Sequence, residues 1–217
     1  MQSLNKQPKL LTSDTQAVLT DEIILDQITS GSRVLDLGCG DGRLLATLRE
    51  KRQSAIQGIE LDLDAIKHCL GRGVPVIQEN LDHGLLSFSD RSFDFAVLSQ
   101  TLQQVRQPRR LLQEMLRVAH RALILVPNFG HWKVRLQIIS YGRAPVTSSL
   151  PYEWFDTPNI HFMSMTDVRD LAKTIDARIV REIPIVSGRA VENAWWPNLR
   201  SESALYVLEQ NSPLAQN

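Results

Sequence analysis

The chain has 217 residues, enough for one domain with a substantial buried core. Its 24 Lys and Arg balance 24 Asp and Glu, which leaves no net basic field for nucleic acid and no acidic tail. The two cysteines, Cys39 and Cys69, lack a disulfide framework or CxxC spacing, and no run approaches the ~20 apolar residues of a membrane span, so a soluble cytoplasmic protein is expected.

Residues 1–14 are polar, contain Pro8 and show no period, and are read as a mobile arm. From Thr15 to Ile28, Val18, Leu19, Ile23, Ile24 and Ile28 recur at helical spacing until Ser30-Gly31 breaks the pattern. An apolar run beginning at Val34 reads as a buried strand and ends in Gly38, Gly40 and Gly42. Helical spacing resumes over Gly42–Glu50, so a tight turn opens onto a helix N-terminus with free N–H groups. A second strand covers Ala55–Glu60, and Asp62 caps a helix to about Leu70, stopped by Gly71 and Gly73. A third strand, Val74–Gln78, leads into Glu79, Asn80, Leu81 and Asp82. The fourth is Phe93–Ser99, followed by a helix from Pro108 through Ala119. Ala122–Val126 is nearly all apolar, the mark of a strand covered on both faces, and Pro127 terminates it. Five strands separated by helices predict an open, mostly parallel α/β sheet.

The pattern changes between Asn128 and Met165. Trp132, Leu136 and Ile139 predict a short helix, after which Gly142, Pro145, Pro151 and Pro158 punctuate a stretch rich in Tyr152, Trp154, Phe155 and Phe162. A connection of this length reads as a lid-like insertion or binding wall, at about 128–165, within a single domain over residues 15–210. Thr166 is expected to cap a helix through Ile175. A strand over Arg178–Val186, a loop at Trp195-Trp196-Pro197 and a last strand over Ser203–Glu209 complete the chain.

Two families place a glycine turn after their first strand. The dinucleotide fingerprint GxGxxG requires glycine at position 43, where this chain has Arg43. Asp36 stands two residues before Gly38, placed to accept hydrogen bonds from the N–H groups of the turn and from a ligand ammonium. Arg43 and Asp36 together disfavour an NAD-dependent oxidoreductase. The DxGxGxG pattern resembles motif I of class I S-adenosylmethionine-dependent methyltransferases. That resemblance implies a cofactor site at Asp36, Gly38, Cys39, Gly40 and Gly42. Glu60, eighteen residues after Gly42, would take the ribose hydroxyls with Leu61 beside it, leaving Asp62 as the cap. Asn80, Leu81 and Asp82 fall where such proteins surround the adenine, although the first is usually Asp. Ser99 and Gln100 would border the methionine moiety.

Three further strings, Leu98–Gln103, Val126–Leu136 and Leu150–His161, are similar to the MetW family of methionine-biosynthesis proteins, and the similarity spans about Gly31 to Val186. It implies a doubly wound, mostly parallel seven-stranded sheet, Rossmann-like, with an antiparallel last strand. It also implies S-adenosylmethionine or S-adenosylhomocysteine as ligand and homoserine O-acyltransferase as partner.

Methyl transfer from a sulfonium is an in-line displacement that chiefly needs positioning, so no diagnostic triad is required. If a substrate proton must leave, His131, Tyr152, Asp156 and His161 are the candidate bases, each with packing or capping as the alternative role. The five histidines show no HxxxH or Cys/His spacing, and no metal site is expected. Two readings follow: a protein that binds the cofactor and docks on the acyltransferase, or a methyltransferase acting on a small metabolite under residues 128–165. Trp154, Phe155, Trp195 and Trp196 would wall a pocket, anchor an interface or pack in the core.

Overall fold

Apolar runs alternate with helical stretches along the chain, and the runs come to lie side by side. The computed structural model describes residues 15–211, so the arm assigned to residues 1–14 lies outside the described residues. Helix α1 (Thr15–Leu25) leads into β1 (Arg33–Leu37), α2 (Arg43–Arg52), β2 (Ala55–Glu60), α3 (Leu63–Gly71) and β3 (Val76–Gln78). Next come β4 (Phe93–Ser99), α4 (Pro108–Val118), β5 (Ala119–Pro127), α5 (Trp132–Tyr141) and α6 (Met165–Thr174). Strands β6 (Ala177–Val186) and β7 (Arg189–Ala190), helix α7 (Pro197–Arg200) and β8 (Ser203–Gln210) follow. The sheet order is β3-β2-β1-β4-β5-β8-β6-β7. The first five strands pair in parallel, and β8 runs antiparallel to both β5 and β6.

Among the described residues the sheet has eight strands rather than seven. The added one, β7, pairs only Arg189 and Ala190 back onto β6 through a turn at Ser187 and Gly188, both with positive φ. A strand of two residues has no periodicity for a sequence reading to find.

Period-two alternation sends neighbouring side chains of the central strands to opposite faces, and helices cover both. Leu35, Ala96, Leu98, Ala122 and Ile124 pack with Leu112, Met115 and Leu116 of α4. Val34, Phe95, Val97, Leu123 and Leu125 pack on the other face with Ile24 of α1 and Leu44, Leu45 and Leu48 of α2. Asp36 shares the register of Val34, so a carboxyl sits on the buried α1 side of the sheet.

Helix ends follow their caps. Asp62 accepts hydrogen bonds from the N–H groups of Asp64 and Ala65, as its position predicts. The start of α6 corrects the expectation of Thr166. Ser164 is the cap, reciprocally bonded with Asp167, because a Ser-x-x-Asp pair satisfies two free donors together. Helix α5 forms where predicted, with Gly142 (φ 59°) as its C-cap. It buries Val134 and leaves Trp132, Leu136 and Ile139, the residues that mark it in the sequence, on its solvent side.

Candidate functional site

At the carboxyl end of β1 the chain turns through Gly38, Gly40 and Gly42, with φ of 70°, 55° and 75°. Side chains rarely adopt that region, which explains three glycines here. The N–H groups of Gly38 and Cys39 donate to the carbonyl of Ile59 at 2.8 and 3.0 Å, and that of Gly40 donates to Oε2 of Glu60 at 2.8 Å. This corrects the expectation that Asp36 receives them. Strand β2 lies beside β1, so the Ile59 carbonyl and the Glu60 carboxylate at its end reach the turn first. Oε1 of Glu60 also accepts from the N–H groups of Leu61 (2.7 Å) and Asp62 (3.0 Å), which ties the turn to the start of α3.

Asp36 is 3% exposed, and among the described residues its carboxyl has no hydrogen-bond partner. Burial first, then the charges of Asp21 and Glu60, push its pKa up to about 8. Burial also raises Asp21, on α1, against the pull of Arg43, whose Nε donates to it at 2.8 Å. Asp21, Asp36, Asp41 and Glu60 thus gather around the turn, with Arg43 on Asp21 and, at 3.0 Å, Arg72 on Asp41. Burying an acid without a hydrogen-bond partner or a cation is costly, and it favours the protonated form.

Beyond the turn opens a cleft of about 1010 Å³, bordered by Gly38 and Thr101, by Glu60 and Leu61, and by Asn80, Leu81 and Asp82. It lies where the strand order switches between β1 and β4, the ordinary ligand position of an open parallel sheet. A Cβ on Gly38 would come within 2.9 Å of Oγ1 of Thr101, so glycine lets the turns after β1 and β4 close together. Oδ1 of Asn80 accepts from the N–H of Asp82, which leaves the amide donors of Asn80 for a ligand. Oδ1 of Asp82 accepts from the N–H groups of Arg106 and Gln107 and so holds the wall leading into α4. A smaller recess of about 500 Å³, edged by Asp94, His120 and Glu209, lies at the opposite end of the strands.

The remaining expected residues occupy different places. Ser99 and Gln100 shape the turn after β4: the Ser99 carbonyl accepts from Oγ1 of Thr101, and Gln100 (φ 54°) accepts from the amides of Gln103 and Gln104. Cys39 faces away from the cleft, 3.8 Å from Sγ of Cys69, which itself donates to the Gly40 carbonyl. Burial holds both thiols above the ordinary range. Thr101, Gln104, Arg106 and Gln107 line the cleft and were missed, as was Asp21 near Asp36. Their only signal was the position of the first four directly after the fourth strand.

Of the four candidate bases, His131 is buried at the N-cap of α5, its pKa pulled down by burial. Tyr152 and Asp156 are exposed and do not line the cleft. His161 alone is tied to the turn after β4, its N–H donating to the Gln103 carbonyl at 3.1 Å. Nε2 of His161 and Oε1 of Gln103 are buried without partners among the described residues. No group of three or more His, Cys, Asp or Glu able to hold a metal occurs among those residues. No described helix is long and apolar enough to cross a membrane.

A family model described as "Methionine biosynthesis protein MetW" matches residues 20–208. The bifunctional methionine biosynthesis protein MetXA/MetW of Rhodopirellula baltica is 35% identical over 211 residues, covering 92% of this chain and 34% of that protein. A ubiquinone biosynthesis O-methyltransferase of Paracidovorax citrulli is 34% identical over 94 residues, 41% of this chain and 39% of its own. The chain thus spans well under half the length of these curated relatives. Among solved structures, a Thermotoga maritima SAM-dependent methyltransferase, described as a possible histamine N-methyltransferase, superposes with a TM-score of 0.67 at 17% identity, covering 91% of this chain and 90% of that one. A TehB-like SAM-dependent methyltransferase from Corynebacterium glutamicum gives 0.59 at 18% identity, with 88% and 87% covered. These likenesses establish the class I methyltransferase fold.

Proposed function

Because the chain belongs to the MetW family of methionine biosynthesis proteins, we propose that it binds S-adenosylmethionine or S-adenosylhomocysteine at the glycine turn and acts in the cytoplasm with a homoserine O-acyltransferase. The observation that carries the ligand assignment is Asp36, a buried acid beside a glycine cradle whose carboxyl takes no hydrogen bond from the described residues. A ligand ammonium would ionise it and use its lone pairs, offsetting the cost of its burial. Asp21 adds negative potential on the same side. Glu60 would hold the ribose hydroxyls by charge-assisted hydrogen bonds, and Asn80 and Leu81 would flank the base. Gly38 and Thr101 keep the floor narrow. When bound, S-adenosylmethionine supplies an electrophilic methyl group on a sulfonium. The partner assignment is supported by the Rhodopirellula relative, whose name joins MetXA and MetW in one chain.

Calorimetry tests the ligand class. S-adenosylmethionine and S-adenosylhomocysteine are expected to bind one per chain, and NAD not at all. Binding of NAD alone would overturn the assignment. For the partnership, the turnover of purified homoserine O-acyltransferase is expected to rise until this chain is equimolar. A turnover indifferent to the chain would remove it.

A second reading, methyl transfer to a small metabolite under residues 128–165, is favoured by the buried, unpartnered Nε2 of His161 and Oε1 of Gln103. Both are tied to the turn after β4, where a substrate would meet the cofactor. Formation of S-adenosylhomocysteine from pathway metabolites, lost in His161→Ala, would support transfer. Its absence with and without the acyltransferase would leave the binding role.

A further inference from the structure

Helix α5 turns its apolar stripe outward. Trp132, Leu136 and Ile139 recur at i, i+4 and i+7, one face of a helix, and are 46%, 51% and 82% exposed, while Val134 is the residue it buries. Trp154 and Phe155, further along the same connection, stack edge to face and are exposed as well. Along α5 itself the charge is one-sided, although Glu153 and Asp156 flank Trp154 and Phe155 and Glu202 acts on His131 at the N-cap of the helix. Between Glu114 and Glu153 the chain has no acidic residue, whereas Lys133, Arg135 and Arg143 fall on or just after α5, in a chain whose total charge is zero. Nζ of Lys133 lies 5.7 Å from the Trp132 ring centre and Nε of Arg135 donates to the Gly130 carbonyl, and among the described residues no carboxylate pairs with either.

An exposed apolar stripe on a soluble domain marks a surface that another molecule covers, and a helix of this pattern fits an apolar groove with an acidic rim. The strand faces are already covered by helices, and the cleft is assigned to a small ligand. We propose that the outer face of α5, centred on Leu136 and Ile139 and flanked by Lys133 and Arg143, is the surface that docks on the acyltransferase, in an acid-rimmed apolar groove of that enzyme. This rests on the partnership proposed above. A partner that is fused to the same domain in a relative is the occupant the comparisons favour. The connection that carries α5 also carries Ile160 and His161, whose N–H groups donate to the Gln103 carbonyl, so a partner on α5 would sit at one end of a segment whose other end touches the ligand side.

The test uses the full chain and the purified acyltransferase of the same organism, with binding measured by calorimetry. Leu136→Asp/Ile139→Asp is expected to weaken binding by about tenfold or more, the loss seen when central apolar contacts are removed. Lys133→Glu/Arg143→Glu is expected to weaken it several-fold and to flatten its dependence on salt. Ile139→Asp alone, at the most exposed position, serves should the double variant unfold, and unchanged S-adenosylmethionine binding reports an intact fold. If the wild-type chain fails to bind the enzyme, the partnership itself falls and the proposal with it. If the wild type binds and the α5 variants bind equally well, the partnership stands and this surface is wrong. Self-association of the wild type, or binding to phosphatidylglycerol vesicles, that these substitutions abolish while acyltransferase binding persists would also overturn it.

Discussion

The glycine-turn region and the connection after β5 are built on opposite rules. Around the turn, apolar side chains point inward, the N–H groups of Gly38, Cys39, Gly40 and Gly42 have acceptors, and Asp36 is a buried carboxyl among them. In the connection, Trp132, Leu136, Ile139, Trp154 and Phe155 face solvent, and Nε2 of His161, beside Gln103 of the turn after β4, is buried without a partner among the described residues. A site for a small ligand is made by closing space until one shape fits. A site for a protein is made by leaving apolar surface uncovered.

Glycine substitutions should widen this contrast most. Gly42 and Gly142 both have positive φ, but a Cβ on Gly42 would lie 2.9 Å from Sγ of Cys69, whereas nothing lies within 4 Å of one on Gly142. Gly42→Ala is expected to cost about 3 kcal/mol, and Gly142→Ala about 1 kcal/mol. Thermal unfolding should therefore fall by about 6–12 °C in the first and about 2–4 °C in the second. Equal shifts would mean that the turn is no more tightly packed than the connection.

The carboxyl comes next. With a pKa near 8 from burial and from Asp21 and Glu60, Asp36 is protonated at neutral pH and must lose its proton to solvent when a cationic ligand binds. Affinity for S-adenosylmethionine should therefore rise about tenfold per pH unit towards pH 8 and level off above it. Asp36→Asn should abolish that slope and weaken binding at pH 8.5 by about 10- to 100-fold. The native form holds this proton more tightly than the unfolded chain, so the contribution of Asp36 to ligand-free stability must fall as pH rises from about 4 through 8. Denaturant titrations of wild type and Asp36→Asn across that range isolate it, and parallel curves would exclude it.

Smaller effects separate the regions further. Glu60→Gln keeps the shape but removes the charge that receives three N–H groups, and should weaken cofactor binding about tenfold. In the connection, Val134→Ala should cost about 1–2 kcal/mol because it is the buried residue of α5, whereas Ile139→Ala should stay within about 0.5 kcal/mol. An Ile139 effect as large as that of Val134 would show that the outer face already supports the fold.

Much of this was legible in the linear chain because its physics is local. The strand that ends in three glycines, the acid two residues before them, the Asp62 cap and the alternating elements each depend on neighbours a few residues apart, and the DxGxGxG pattern they form resembles motif I of class I methyltransferases. The tertiary structure decided everything that depends on which distant segments meet. It gave the donors of the turn to Ile59 and Glu60 rather than to Asp36, set Asp21 near that acid from another helix, and brought Cys69 to 3.8 Å from Cys39. It also turned the apolar stripe of α5 outward, since periodicity says that a helix has two faces and only packing says which of them is covered.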